Sequence, residues 1–325
     1  MKEIKPELKN KIKNIPPLPG IYKMLDSRGQ IIYVGKSKCL KKRVQSYFVK
    51  DHKWEKINKL VSFIHDVDFI VTDTHLEARL LECELIKSIK PYFNSQMKND
   101  QGYVYLKLND YNPYNVLSLV NERTDNSYGP FRSRNLLLEF ISLMKNIYPV
   151  GFENNRYVFE YHIFPVVMDK NDYNHNYKIL KSIFEFEDKM RLFISQAEEK
   201  MSEAANAYRY ETASAYRDIL NCLKYIEHGI NGYKNLFSKK LVLKIPTVDG
   251  VKLFYVNKGS ILLSKKYKRL SDVYLKNFIN KGNLISQKQE SKESPNVSDK
   301  ASVDYRDILY SEIRSLPGDM ILHIE

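Results

Sequence analysis

A carboxylate set among aliphatic side chains is the first residue whose type and place suggest chemistry. If residues 74–89 are helical, each advances by about 100°, and Ala78, Leu81, Leu85 and Ile89 share one buried face. Glu77 and Glu84 fall on the flank and Lys87 opposite, whereas Glu82 falls between Ile89 and Ile86, the only carboxylate inside the apolar stripe. A buried carboxylate needs a cation, a metal ion or several donors to offset its lost hydration. Two readings are open there: an ion pair with a helix-borne Lys or Arg, or a metal ligand. A second set of reactive types lies upstream. Tyr22 and Tyr33 stand on neighbouring predicted strands, and Gly35 follows where strand gives way to loop, permitting close backbone approach to a ligand. Lys36, Lys38, Lys41, Lys42 and Arg43 come directly after it. Arg43, one position before apolar Val44, would aim a fixed guanidinium fork at a phosphate. For the lysines a solvated helix face competes with a phosphate contact.

The elements that must position these groups can be read from spacing. Residues 20–25 and 30–34 form two short strands around the turn cluster Asp26-Ser27-Arg28-Gly29. Pro16, Pro17 and Pro19 exclude helix before them. Leu40, Val44, Tyr47 and Phe48 follow helical spacing, a second helix covers 52–64, and residues 67–72 alternate like a strand. Thr74 or Asp73 would cap the helix that ends before Pro91. The order β-β-α-α-β-α makes residues 16–100 an α/β unit with a small sheet, after an N-terminal extension, 1–15. Residues 101–185 read as a mixed α/β connector, with turn signals at Asn112-Pro113 and Gly129-Pro130 and a helix over 136–147. Residues 186–230 read as two amphipathic helices folded into a hairpin. A β-containing region follows at 235–284, with an Asp249-Gly250 turn, then a flexible linker at 285–303 and a short terminal segment, 304–325.

Charge narrows the partners. Lys and Arg number 52 against 39 acids, a net of +13, yet residues 1–59 alone carry +11 and residues 60–100 carry −3. Excess localised in this way is the footprint of a polyphosphate partner, beyond a general lysine bias. No run approaches the roughly 18 apolar residues of a membrane span, and the first fifteen residues lack the apolar core of a secretion signal. Cys39, Cys83 and Cys222 are far apart, which disfavours a disulfide framework and a zinc ribbon and fits a reducing cytoplasm.

The motifs themselves resemble a known family. Pro19-Gly20-Ile21-Tyr22, Tyr33-Val34-Gly35-Lys36, Leu40-Lys41-Lys42-Arg43-Val44 and Ser46-Tyr47-Phe48 resemble a GIY-YIG nuclease domain. The stretch Glu77 to Lys87 and Lys90-Pro91-Tyr92-Phe93-Asn94 resemble the variant found in the UvrC excinucleases, and Gly129-Pro130-Phe131 matches a further motif of that family. Met201, Ala204, Ala205, Tyr210, Glu211, Ala215, Arg217 and Asp218 resemble a UVR motif. The resemblance is sharp over 15–100, fair over 189–228 and absent from about 235 onward. It looks like a shortened UvrC-like or Cho-like protein with a UVR hairpin.

That resemblance implies a metal-dependent DNA endonuclease of nucleotide excision repair, a hydrolase making the 3′-side incision at damaged double-stranded DNA and leaving a 3′-hydroxyl and a 5′-phosphate. It implies Glu82 as ligand to one Mg²⁺ or Mn²⁺ and Tyr22, Tyr33, Lys36 and Arg43 as catalytic residues. Gly35 and Asn94 would support them, and Lys38, Lys41 and Lys42 would bind DNA. It also implies UvrB docking through residues 189–228, with Tyr210, Glu211, Arg217 and Asp218 at the contact. A free phenol titrates near 10, and Lys36 and Arg43 are expected to favour phenolate. Several family features are missing from these residues: an RNase H-like second nuclease domain, helix-hairpin-helix motifs, and any cysteine between 95 and 200, so no iron–sulfur cluster is expected. The usual run after the family's Asn is altered to Lys98-Asn99-Asp100-Gln101-Gly102-Tyr103. Two other readings stand beside the repair nuclease: a non-catalytic adaptor binding DNA and UvrB, and a GIY-YIG nuclease acting outside excision repair.

Overall fold

A computed structural model of the chain describes residues 5–48, 55–98, 102–232, 239–290 and 300–324. Two compact units result, one from Met1–Asp100, Leu236–Pro295 and Ala301–Glu325, the other from Gln101–Asn235 and Asn296–Lys300. The first unit opens with helix α1 (Pro6–Lys13), which lies within the N-terminal extension, 1–15. Pro6 at its first turn is pre-set for helix entry, and Leu8, Ile12 and Ile15 are buried in the N-terminal core. Strands β1 (Gly20–Leu25) and β2 (Ile31–Ser37) form an antiparallel hairpin. Asp26 closes its turn by accepting the Arg28 and Gln30 amides, each at 2.9 Å. Helices α2 (Leu40–Ser46) and α3 (Glu55–Phe63) follow; residues 51–54, where the second helix was expected to begin, lie outside the described residues. Strand β3 (Asp66–Val71) pairs with the far side of β1, so the sheet order is β2-β1-β3 and β2 is an edge.

Helix α4 (His75–Ile89) starts at Thr74, whose hydroxyl accepts the Glu77 amide while Glu77 accepts the Thr74 amide, a capping box. Its buried residues are Leu76, Ala78, Glu82, Cys83 and Ile86. The expected face of Leu81, Leu85 and Ile89 is only partly covered, and Ile89 is exposed. The single apolar stripe fails because α4 is packed on two sides, as the C-terminal strands show below.

In the second unit, β4 (Val104–Leu108), β5 (Leu117–Val120) and β6 (Ser127–Phe131) form an antiparallel sheet in the order β5-β4-β6. Helix α5 (Arg134–Met144) and a small hairpin, β7 (Gly151–Glu153) with β8 (Arg156–Val158), come next. Helix α6 (Lys170–Glu185) is an element the sequence pattern hides, since its first half is rich in Asn, Asp and Tyr. Asp169 caps it by accepting two amides, and Tyr173, Ile179, Leu180, Ile183 and Phe184 bury its inner face. The expected hairpin is α7 (Glu187–Asn206) and α8 (Tyr210–Glu227), packed through Ala197, Ala204, Ile219 and Leu223.

The remaining chain returns to the first unit. Strands β9 (Lys240–Thr247), β10 (Gly250–Asn257), β11 (Ser260–Tyr267) and β12 (Ile321–Ile324) make an antiparallel sheet in the order β11-β10-β9-β12. Two helices flank it, α9 (Asp272–Glu290) and α10 (Val303–Ser315). The first part of the expected linker is thus the end of α9, and residues 291–299 lie outside the described residues. Strand side chains alternate between faces. Leu241, Leu243, Phe254 and Val256 cluster with Ile308 and Leu309 of α10 and with Leu76 and Cys83 of α4. On the other face Val242, Leu253 and Tyr255 cluster with Phe278 of α9. Charged pairs ring the first of these contacts: Lys252 with Asp73 at 2.7 Å and with Glu77, Arg79 with Glu312 at 3.0 Å, and Lys87 with Asp304 at 3.3 Å.

Candidate active site

Three phenols converge beside the edge strand β2. Tyr22 on β1 and Tyr33 on β2 share a face of the sheet, and Tyr47 comes from the end of α2. Their ring centroids lie 5.8 to 6.2 Å apart. The Tyr22 and Tyr47 hydroxyls are hydrogen-bonded at 2.8 Å, and Arg43 donates from Nε to the Tyr22 hydroxyl at 3.3 Å. The same guanidinium lies over the Tyr47 ring, 5.0 Å from its centroid. The sequence offers Tyr47 as an apolar helix position and as part of the Ser46-Tyr47-Phe48 motif, without a role of its own; its spacing of one turn from Arg43 is the signal that points to the site.

Gly35 is placed in the strand, not at its end, because β2 runs to Ser37 and pairs Ser37 with Gly20. It stands opposite Tyr22, and a Cβ there would lie 2.3 Å from the Tyr22 hydroxyl. Glycine is therefore required by the close approach of the chain's own phenol. The free edge of β2 is closed by two side chains. Asn94 accepts the Val34 amide at 2.9 Å and donates to the Val34 carbonyl at 2.8 Å, which fixes the strand between Tyr33 and Gly35. Glu82 accepts the Lys36 amide at 3.0 Å through Oε1. An edge strand otherwise leaves these groups to water or to another chain.

Glu82 is buried, with 8% of its surface exposed, and Lys36 places its ammonium 2.7 Å from Oε2. The ion pair left open by the sequence is present, but its cation comes from the sheet and not from a helix. A cavity of about 330 Å³ adjoins the pair, lined by Tyr33, Lys36, Arg43, Tyr47, Glu82 and Asn94. Of the basic residues 36 to 43, only Lys36 and Arg43 reach it; Lys38 and Lys42 are exposed, and Lys41 is half-buried on α2. In the other unit Tyr210, Glu211 and Arg217 are exposed on α8, and Arg217 pairs with Asp218 at 2.9 Å.

The electrostatics reverse one expectation. Burial, reinforced by the neighbouring phenols Tyr33 and Tyr47, pushes Tyr22 well above its ordinary value. Burial first, then Tyr47 and Glu82, raises Tyr33 as well. Arg43 acts the other way on both and does not prevail. Desolvation of a phenolate thus outweighs the nearby guanidinium, and both phenols are neutral at pH 7 in this arrangement.

The residues fit a lightly held divalent ion. Among the described residues no three His, Cys, Asp or Glu side chains group closely enough to enclose a metal. A lone carboxylate beside a polar cavity instead suits a hard, mostly hydrated cation. The Lys36 ammonium on Oε2 is itself a cation held at that oxygen, and its side chain is 34% exposed, leaving it a route to solvent.

Two tyrosines on paired strands, a glycine crossed by a phenol, an arginine on the next helix and a helix-borne glutamate at the sheet edge define a GIY-YIG-type domain. Residues 18–95 match the UvrC-like GIY-YIG domain family, so this part of the chain is a UvrC-like GIY-YIG domain. It is similar to the UvrABC system protein C of Caldanaerobacter subterraneus subsp. tengcongensis, with 30% identity over 322 residues, covering 92% of this chain and 51% of that protein. The UvrABC system protein C of Acetivibrio thermocellus is 30% identical over 276 residues, covering 79% and 44%. The chain spans about half the length of the curated relatives it matches. Coverage of 92% carries the first match past residue 235, so the likeness does not stop where motif reading ends it. The magnesium-bound GIY-YIG N-terminal endonuclease domain of Thermotoga maritima UvrC is 33% identical, covering 28% of this chain and 99% of that one, with a TM-score of 0.26. Among the described residues no helix is long and apolar enough to cross a membrane.

Proposed function

We propose that the chain is a DNA endonuclease of nucleotide excision repair, a hydrolase making the 3′-side incision at damaged duplex DNA together with UvrB. The observation that carries the reading is the convergence of the Tyr33 and Tyr47 phenols, Arg43, Lys36 and Glu82 on one cavity. Breaking a phosphodiester calls for an oriented water, neutralisation of phosphate charge and help for the leaving oxygen. Arg43 binds a phosphate oxygen with whatever part of its fork Tyr22 leaves free. Tyr33 lines the cavity and orients the attacking water; Tyr22 is fully buried and positions Arg43 and Tyr47. Lys36 leaves Glu82 for the incoming phosphate when the site is loaded. Glu82 would then hold one Mg²⁺ or Mn²⁺ ion, which supplies Lewis acidity and charge neutralisation. Gly35 and Asn94 keep the edge strand in place. Lys38, Lys41 and Lys42 contact backbone phosphates, and UvrB docks on residues 189–228 through Tyr210, Glu211, Arg217 and Asp218.

The test is nicking of a duplex carrying one bulky lesion and loaded with UvrA and UvrB. The expected outcome is Mg²⁺-dependent incision on the 3′ side, lost by at least about a hundredfold in Glu82→Gln. Equal rates for the two proteins would sink the assignment. One observation favours a second reading, an adaptor that binds DNA and UvrB without cutting: Lys36 already neutralises Glu82. UvrB-dependent DNA binding with no incision in either metal would select it.

A further inference from the structure

A second patch of unassigned chemistry lies at the far rim of the same cavity. Its lining runs from Glu82 to Lys56 and Ser95. Lys56 donates to the Ser95 hydroxyl, and Lys98 donates to the Tyr92 carbonyl at 2.9 Å. Among the described residues neither ammonium is paired with a carboxylate. The two also sense each other: burial first, and then Lys56, lowers the affinity of Lys98 for its proton. Like charges gathered with no carboxylate paired to them among the described residues call for an anion.

Beside them is an aromatic array. Phe93 is buried and fixed by its amide, which donates to the Ile32 carbonyl on the edge strand at 2.9 Å. Phe63, at the end of α3, packs against it with centroids 5.8 Å apart, and Tyr92 meets it edge-on at 5.1 Å. These two outer rings are left open to solvent, Tyr92 at 74% and Phe63 at 53%. A single exposed ring is ordinary. Two exposed rings propped on a buried third, next to two ammonium groups, match the pairing of π-face and cation that seats a nucleotide.

We propose that this rim is a nucleotide subsite: Tyr92, backed by Phe93 and Phe63, stacks an unpaired base, and Lys56 with Lys98 holds its phosphate. The inference rests on the nuclease reading and adds to it that the strand is splayed open on one side of the cut. Stacking requires an unpaired base, so the subsite prefers single-stranded to duplex DNA. It names the ligand class, not a sequence, because every base offers a π-face.

The test is binding of the full chain, without divalent metal, to a short single strand containing 2-aminopurine and to a blunt duplex of the same sequence. The wild type is expected to bind the single strand with a change in 2-aminopurine fluorescence. Tyr92→Ala should weaken that binding about five- to 150-fold and abolish the fluorescence change, with duplex binding altered by less than about twofold. Tyr92→Trp should restore both, a result that loss of fold cannot mimic. Lys56→Gln with Lys98→Gln should flatten the salt dependence of single-strand binding by about 0.7, one phosphate contact. Unchanged affinity and fluorescence in Tyr92→Ala would overturn the subsite while leaving the nuclease reading intact. Failure of the wild type to bind either DNA would overturn both. Equal nicking by wild type and Glu82→Gln would remove the catalytic reading alone.

Discussion

The two sheets of the first unit bury opposite kinds of surface, and α4 touches both. The three-stranded sheet takes in polar groups at its edge: three phenols, the Asn94 amide, and the Glu82 carboxylate with its lysine. The four-stranded sheet buries apolar side chains on both faces, with Leu241, Leu243, Phe254 and Val256 on one and Val242 and Leu253, packed on Phe278 of α9, on the other. A buried polar group on it, the Tyr255 hydroxyl, is satisfied locally by donating to Asn283 at 2.6 Å. Burying polar groups costs stability unless every one is partnered, and apolar burial supplies it. The contrast therefore separates a region shaped for chemistry from one shaped for support. Helix α4 joins them, presenting Glu82 to the first and Leu76 and Cys83 to the second.

The contrast breaks most readily in the supporting sheet. Phe254→Ala should cost about 3–5 kcal/mol of unfolding free energy, read from the urea midpoint. A loss below about 1 kcal/mol, as at an exposed position, would mean that this sheet is not a packed support. In the polar sheet, Tyr47→Phe removes one hydroxyl from the pair with Tyr22. Its stability cost should stay near 1 kcal/mol, while nicking falls about tenfold as Tyr22 and Arg43 lose their anchor. A stability loss as large as that of Phe254→Ala, with nicking retained, would reverse the roles of the two sheets.

A finer effect concerns Lys36 and Glu82. Lys36→Met leaves the carboxylate without its tethered cation. Mn²⁺ should then bind the protein alone about two- to fivefold more tightly, the worth of a partly exposed ion pair, in a calorimetric titration without DNA. Weaker binding would mean that Lys36 aids the ion and does not compete with it.

How far the site was legible depended on the kind of constraint. Tyr22, Tyr33, Gly35 and Arg43 could be singled out because strand alternation and a glycine at a fixed place are local signals. The position of Glu82 within an apolar stripe survived even though the stripe was misdrawn. Leu81, Leu85 and Ile89 were expected inside because one helix was assigned one neighbour, and nothing local reveals that Leu241 and Ile308 cover the opposite side. The same blindness to distant partners hid the pairing of Lys36 with Glu82 and the aromatic role of Tyr47. It also set the wrong sign for the phenols, since burial is a property of the assembled sheet and Arg43 is visible from the sequence. Helix α6 was missed for a further reason. Its Asn- and Asp-rich start has poor intrinsic propensity, and a cap at Asp169 with tertiary packing overrides it.

The smallest effect lies on the seam between the sheets. His75, the first residue of α4, borders a cavity of about 500 Å³ shared with Lys38, Arg79 and the end of β9 at Pro246 and Thr247. Burial, with Lys38, Arg79 and Lys36 nearby, lowers its pKa from 6.5 to about 4. The folded protein thus favours the neutral ring, while the unfolded chain takes up a proton near 6.5. Stability from this group is present above that value and is lost as pH falls toward 4, because over that range the unfolded state binds more protons. Screening on a half-buried ring keeps the effect below about 1 kcal/mol. Comparing urea midpoints at pH 7.5 and pH 5, above the range where carboxylates dominate, the wild type should lose more than His75→Gln does. Equal losses would mean that His75 is free to protonate in the folded state, and that the seam opens to water as the interior of neither sheet does.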